Sequence, residues 1–191
     1  MIREMLLNEA AYTPDTVPED VTFKLVVKQG GLFSTITAST GEGSSLIGGV
    51  RAARALSDRS EEPCFDGFEV ALSNAAQGLG PLLYDIVMEV ASEIGGGLYS
   101  DRSEVSREAR NIWNYYDSNR PDVQKFEMDS PQNERTPDLY DNCDIELVKS
   151  EMGENEWWRD PLAKIYVKKG SPTIKRLLQL GKIEIVGWRP K

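Results

Sequence analysis

The chain has 191 residues, 40% hydrophobic and 28% charged, with a formal net charge of −9 and no histidine. That length suits one domain, 1–191, with a sizeable core, and the missing histidine excludes Ser-His and Cys-His nucleophile pairs and His-ligated zinc. The acidity disfavours a nucleic-acid-binding face, which is ordinarily basic, and is most simply a device for solubility; an acidic mimic of DNA is the minor alternative.

No apolar run is long enough to span a bilayer, and the N-terminal MIREMLLNEAAYTPD carries acids without a long apolar stretch, so neither a membrane protein nor a signal peptide is expected. Cys64 and Cys143 are far apart and in no CxxC pattern. They point to a reducing compartment with free thiols and leave a single disulfide open. A carboxylate-only Mg²⁺ or Ca²⁺ site stays open by composition, but no EF-hand or comparable spacing appears and no metal ligand is named.

In chain order, Ile2, Met5, Leu6 and Ala10 lie at helical spacing over residues 2–10, and the Pro14–Pro18 stretch ends that helix. TFKLVVKQ (22–29) alternates as a strand, and Gly30-Gly31 marks a hairpin into LFSTITAS. GEGSS (41–45) reads as a loop, residues 46–56 as strand or helix, and 57–63 as a polar connection. FEVALSNA (68–75) is the next strand. Beyond Pro81 the period changes: Leu83, Val87, Val90 and Ile94 form one stripe, widened by Leu82, Ile86 and Met88, while Asp85, Glu89 and Glu93 are expected to face away. Pro81 suits the first helical position, and Gly95-Gly96-Gly97 ends the helix. LYSD forms a short strand, and Ser103 is expected to cap a helix with Glu104 in its first turn. That helix carries Val105, Ala109, Ile112 and Tyr116 on one face and stops at Asn119-Arg120-Pro121. A strand over 122–129, a polar excursion around 130–160, a strand over 163–169, a helix opening at Ser171 and a strand over 182–186 complete the chain.

The most informative stretch runs from Phe68 to Tyr116. Its loop, Gln77-Gly78-Leu79-Gly80-Pro81, stands where a strand hands over to a helix N-terminus. Unpaired amides and the positive end of the helix dipole make such a junction able to hold a phosphate, and glycine lets the backbone approach a ligand closely. A tight turn that needs glycine is the structural alternative.

Strand, glycine loop, helix, short strand, helix resembles the core of the GNAT acetyltransferase superfamily. In that family the loop follows (Gln/Arg)-x-x-Gly-x-(Gly/Ala) and its amides cradle the pyrophosphate of acetyl-CoA. Gly78 and Gly80 occupy the two small positions here, while the leading position falls on Ala75, with Gln77 two places later. The family's Asn-x-x-Ala-x-x-x-Tyr, whose tyrosine protonates the departing thiolate, aligns on Ala109 with Ser106 for Asn and Trp113 for Tyr. GLGPLLYDIVMEVAS, GLYSDRSEVSREARNIWNYY and LYDNCD also resemble uncharacterised GNAT-like proteins of tailed bacteriophages.

The resemblance implies an α/β (α+β) fold with a mixed, mostly antiparallel sheet flanked by helices. It implies acetyl transfer from acetyl-CoA to an amine, with cofactor contacts at Leu72, Ser73, Gln77, Gly78, Leu79, Gly80 and Leu82. A strand amide near Leu72 or Ser73 would polarise the thioester. Glu69 is the candidate base, or a solvated strand carboxylate; Tyr116, and Tyr115 beside it, are stand-ins for the absent acid, or core aromatics. Asp101-Arg102 can touch a substrate mouth or cap the next helix, and Trp157-Trp158 can meet a partner. The other reading is a GNAT-shaped phage protein that has lost chemistry and acts by contact, as a virion component or a binder of a host protein. The setting is the cytoplasm of an infected bacterium or the virion.

Overall fold

The computed structural model describes residues 11–29, 33–42, 45–55, 67–76, 78–101, 105–128 and 159–190. The helix expected over 2–10, the turn at Gly30-Gly31, the connection 57–63, both cysteines, Gln77, Arg102, Ser103, Glu104, Trp157-Trp158 and nearly all of the polar excursion lie outside them.

The expected fold class is the observed one. Strands β1 (Val21–Lys28), β2 (Phe33–Glu42), β3 (Ser45–Ala55), β4 (Phe68–Ala75), β5 (Leu98–Tyr99), β6 (Val123–Glu127), β7 (Lys164–Lys168) and β8 (Ile183–Val186) form one sheet in the order β6-β7-β5-β4-β3-β2-β1-β8. Neighbours run antiparallel except β4–β5 and β1–β8, which are parallel. Among the described residues the helices are α1 (Gly80–Ile94), α2 (Arg107–Asn119) and α3 (Pro172–Gln179), with a 3-10 turn at Pro161–Ala163. No helix among them is long and apolar enough to cross a membrane.

Period 2 explains β1: Val21, Phe23, Leu25 and Val27 are buried while Thr22, Lys24 and Lys28 are exposed. Burying each large apolar side chain contributes about 1.5–3 kcal/mol. The GEGSS loop is narrower than expected. Gly41 pairs with Leu46 and Glu42 with Ser45, so β2 and β3 run to a two-residue connection. Of the stretch 46–56, residues 46–55 are strand and 56 lies outside the described residues; β3 lies between β2 and β4, and both sides of its backbone are used in pairing. Gly48 in β3 makes room for what covers it: a Cβ there would stand 3.0 Å from Ala75 Cα and 3.2 Å from Leu83 Cδ1.

Helix α1 crosses the sheet and gives the core more buried apolar residues than any other element described: Leu82, Leu83, Tyr84, Ile86, Val87, Met88, Val90 and Ala91. It begins one residue earlier than Pro81 alone suggests, with Leu79 as N-cap. Helix α2 is capped by Ser106, whose hydroxyl accepts from Ala109 N–H at 3.2 Å, with Glu108 in the first turn. The start expected at Ser103 therefore moves three residues on, to a serine of the same capping chemistry.

The expectation that Asp85, Glu89 and Glu93 face away is overturned. Asp85 is 9% exposed and Glu89 0%. The polar stripe of α1 meets β7 and α3 rather than water. Lys168 Nζ lies 2.9 Å from Glu89 Oε1 and 3.4 Å from Asp85 Oδ2, and donates to Thr173 Oγ1 at 2.8 Å. Glu89 also accepts the Thr173 and Ile174 N–H groups at 2.9 and 3.0 Å, so it caps α3 from another helix. Glu93 accepts from Ser171 Oγ at 3.1 Å.

Candidate functional site

Strands β4 and β5 are joined at Phe68–Leu98 and Glu69–Tyr99, after which β5 ends and β4 continues. Past that fork, the edge of β4 faces helix rather than strand. The wedge holds two adjoining recesses. The larger, about 550 Å³, is lined by Asn74, Ala75, Gly78, Gly80, Pro81 and Ile112 among others. The smaller, about 280 Å³, is lined by Val70, Leu72, Asp101, Val105 and Trp113. Ser73, Tyr84, Ser106 and Ala109 belong to both.

A β-bulge re-aims the strand at this wedge. The β3–β4 register shifts between Arg51 and Ala52, leaving Ala71 as the extra residue of β4. On the far side of the bulge, Ala76 N–H bonds Ile47 O across to β3. By the alternation of an antiparallel pair, Asn74 and Leu72 also turn their backbone groups to β3, and Ser73 and Ala75 turn theirs to the wedge. Of the two amides named from sequence, Ser73 is therefore the one that faces the recess. Leu72 contributes its side chain instead, which is 66% exposed.

The glycine turn is built as a strand-to-helix junction. Gly78 has φ +82°, a left-handed conformation that favours glycine, and its carbonyl accepts from Tyr12 N–H at 3.0 Å. A Cβ on Gly80 would stand 2.9 Å from Ile112 Cδ1, so that position is small because α2 is close. Not every amide of the turn is available. Leu79 N–H already bonds Ala76 O at 3.1 Å, and Pro81 has no N–H. Leu82 N–H has no backbone acceptor among the described residues.

The remaining candidates are dispersed. Glu69 sits half-buried where the strands part, on the sheet face opposite Phe68 and Val70, and lines neither recess. Asp101 does line the smaller one. Tyr116 is 0% exposed, with Oη 2.8 Å from Pro81 O and 2.9 Å from Asp85 Oδ1. Burial, and after it the Asp85 charge, push its phenol well above the ordinary tyrosine range. It lines neither recess, and nor does Tyr115, which packs against Tyr116 and the Arg120 guanidinium.

The sequence reading missed Tyr84. Its ring meets Trp113 edge-on at 5.4 Å and 86°, and it lines both recesses at 1% exposure. Its hydroxyl is buried and has no hydrogen-bond partner among the described residues. Burial raises the phenol above its ordinary value, opposed by the Ser73 side chain, whose hydroxyl approaches as a donor toward the phenol oxygen and so leaves the Tyr84 O–H itself without an acceptor. Leaving such a group unpaired costs about 1–3 kcal/mol. The sequence signal was weak, since a tyrosine between Leu83 and Asp85 reads as part of a core stripe.

Among the described residues that line the two recesses, the charged ones are carboxylates, Asp101 and Glu108. No protein-family model, curated protein or solved structure matches this chain.

Proposed function

We propose that the wedge binds an acyl-CoA and that the protein transfers the acyl group to an amine. The observation that carries this is the fork of β4 from β5, floored by a bulged strand edge and closed at one end by a glycine turn and a helix N-terminus. The Gly78–Leu82 turn would hold the pyrophosphate through backbone amides and the positive end of α1, and the acyl end would lie along β4. The thioester supplies the activated carbonyl. The amine nitrogen bonds to the carbonyl carbon, the C–S bond breaks, and sulfur leaves as a thiolate that takes up one proton as the nitrogen gives up one. No covalent enzyme intermediate is required, which suits a chain without histidine. The Ser73 amide would steady the developing oxyanion. Asp101, which lines the smaller recess, is the carboxylate that would take the amine proton, in place of Glu69, which lines neither recess.

Among the described residues the lining is charged by carboxylates, Asp101 and Glu108, and this favours a second reading, a protein of this shape that acts by contact, since a nucleotide pyrophosphate is ordinarily met by cations as well as amides. Acetyl-CoA separates the two. At 100 times Kd a ligand adds about 2.7 kcal/mol to stability, so millimolar acetyl-CoA should raise Tm by several degrees. Asn111→Trp, on the exposed side of α2 at the larger recess, should abolish that rise without lowering the unliganded Tm. No shift in the wild-type protein overturns the acyl-CoA reading and leaves the contact reading standing.

A further inference from the structure

We propose that the smaller recess receives a neutral carbonyl group and that Tyr84 Oη is its second hydrogen-bond donor, beside Ser73 N–H. The inference rests on the acyl-CoA reading and names the residue that distinguishes acylated from free CoA.

Three observations carry it. The Tyr84 hydroxyl is buried and unpartnered among the described residues, whereas the hydroxyls of the neighbouring Tyr116 and Tyr166 each reach a backbone carbonyl at 2.8 Å. The open donor lies at a recess, beside Ser73, whose amide faces the same wedge. Trp113, edge-on to the Tyr84 ring, holds it in place, so the donor is positioned before a ligand arrives. The surroundings select the class of acceptor. Val70, Leu72, Val105 and Trp113 offer apolar surface, and among the described residues the charged one there is Asp101. An ionised carboxylate would give up its hydration against that surface at high cost; a thioester or amide carbonyl, polar but uncharged, gives up far less. A phenol whose proton is held more firmly than usual remains a donor across the physiological range.

Calorimetric titration of wild type and Tyr84→Phe with acetyl-CoA and with CoA tests this. Wild type should bind acetyl-CoA more tightly than CoA, and Tyr84→Phe should bind CoA as wild type does while that margin shrinks about 3- to 10-fold, the worth of one neutral hydrogen bond, leaving what Ser73 N–H supplies. In wild type the infrared stretch of a ¹³C-labelled thioester carbonyl should move to lower frequency on binding, a measurement that needs no variant. A margin undiminished in Tyr84→Phe, or an unshifted carbonyl stretch, overturns the role of Tyr84 while CoA binding upholds the proposed function. Failure of wild type to bind either ligand overturns the proposed function and this inference with it.

Discussion

Tyr84 and Tyr116 stand on facing helices with ring centroids 6.5 Å apart, and both are buried. Tyr116 belongs to the charged flank of α1, where the groups around Asp85 and Glu89 meet one another: its hydroxyl lies at Pro81 O and Asp85, Asp85 pairs with Arg120 and Lys168, and Lys168 pairs with Glu89, while farther along Glu93 keeps only one oxygen paired, with Ser171. Tyr84 belongs to the wedge, where its hydroxyl has no hydrogen-bond partner and Leu82 N–H no backbone acceptor among the described residues. One helix thus carries a satisfied network along one side and an unsatisfied one near its N-terminus. Polar groups that are buried and paired hold a fold in a unique arrangement, whereas buried and unpaired ones destabilise it unless a ligand completes them.

The largest effect is expected from breaking the satisfied side. Lys168→Met leaves Glu89, at 0% exposure, and Asp85 without their shared cation. Removing one partner of a buried pair costs about 3–5 kcal/mol, a fall in Tm on the order of 10 °C for a chain of this size. Calorimetry that finds Tm within two degrees of wild type would remove the charged flank from the account of stability.

These two regions also separate what could be read from residue order and what could not. The alternation of β1 and the periodic stripe of α1 are local patterns, and both elements formed as expected. Whether Asp85 and Glu89 meet water depends on Lys168 and Arg120, which are remote in sequence, and hydropathy along one helix carries no information about them. The glycine turn was legible because glycine at a strand-to-helix junction has few roles. The bulge at Ala71 was not, because it is a mismatch of register with Arg51 and Ala52 and exists only between two strands. The same holds for the choice between tyrosines. Tyr116 has the better helical spacing, and that spacing is what draws it into the core, away from both recesses.

A smaller effect should come from Tyr116→Phe. It leaves Pro81 O without its hydroxyl and takes one of three partners from Asp85, costing about 1–2 kcal/mol. Tyr84→Phe removes a hydroxyl that is unpaired among the described residues and should leave Tm unchanged or slightly raised. Equal losses in the two variants would erase the contrast. The alkaline limb sharpens it. Tyr84, Tyr116 and Tyr166 all have folded phenols raised above 10.0. The neutral phenol is then the form the fold prefers, so this stability is complete below pH 10 and declines as pH rises past it, when only the unfolded chain gives up the proton. The decline in Tm between pH 9 and 11.5 should be shallower in Tyr116→Phe than in wild type.

The smallest effect concerns the boundary of the two regions. Ser106 caps α2 and lines both recesses, so its hydroxyl has a partner on the protein and a face toward the wedge. Ser106→Ala should cost about 1 kcal/mol, the ordinary worth of an N-cap. Ser106→Asp keeps the cap, since a carboxylate accepts from the same N–H, and adds a negative charge where Asp101 and Glu108 already stand. If the wedge takes a polyanion, the aspartate variant should keep the wild-type Tm and lose acetyl-CoA affinity, while the alanine variant loses stability and keeps affinity. Aspartate that weakens neither quantity would mean that no phosphate comes near α2, and the anion-binding part of the wedge would then have to lie nearer Gly78 and Tyr12.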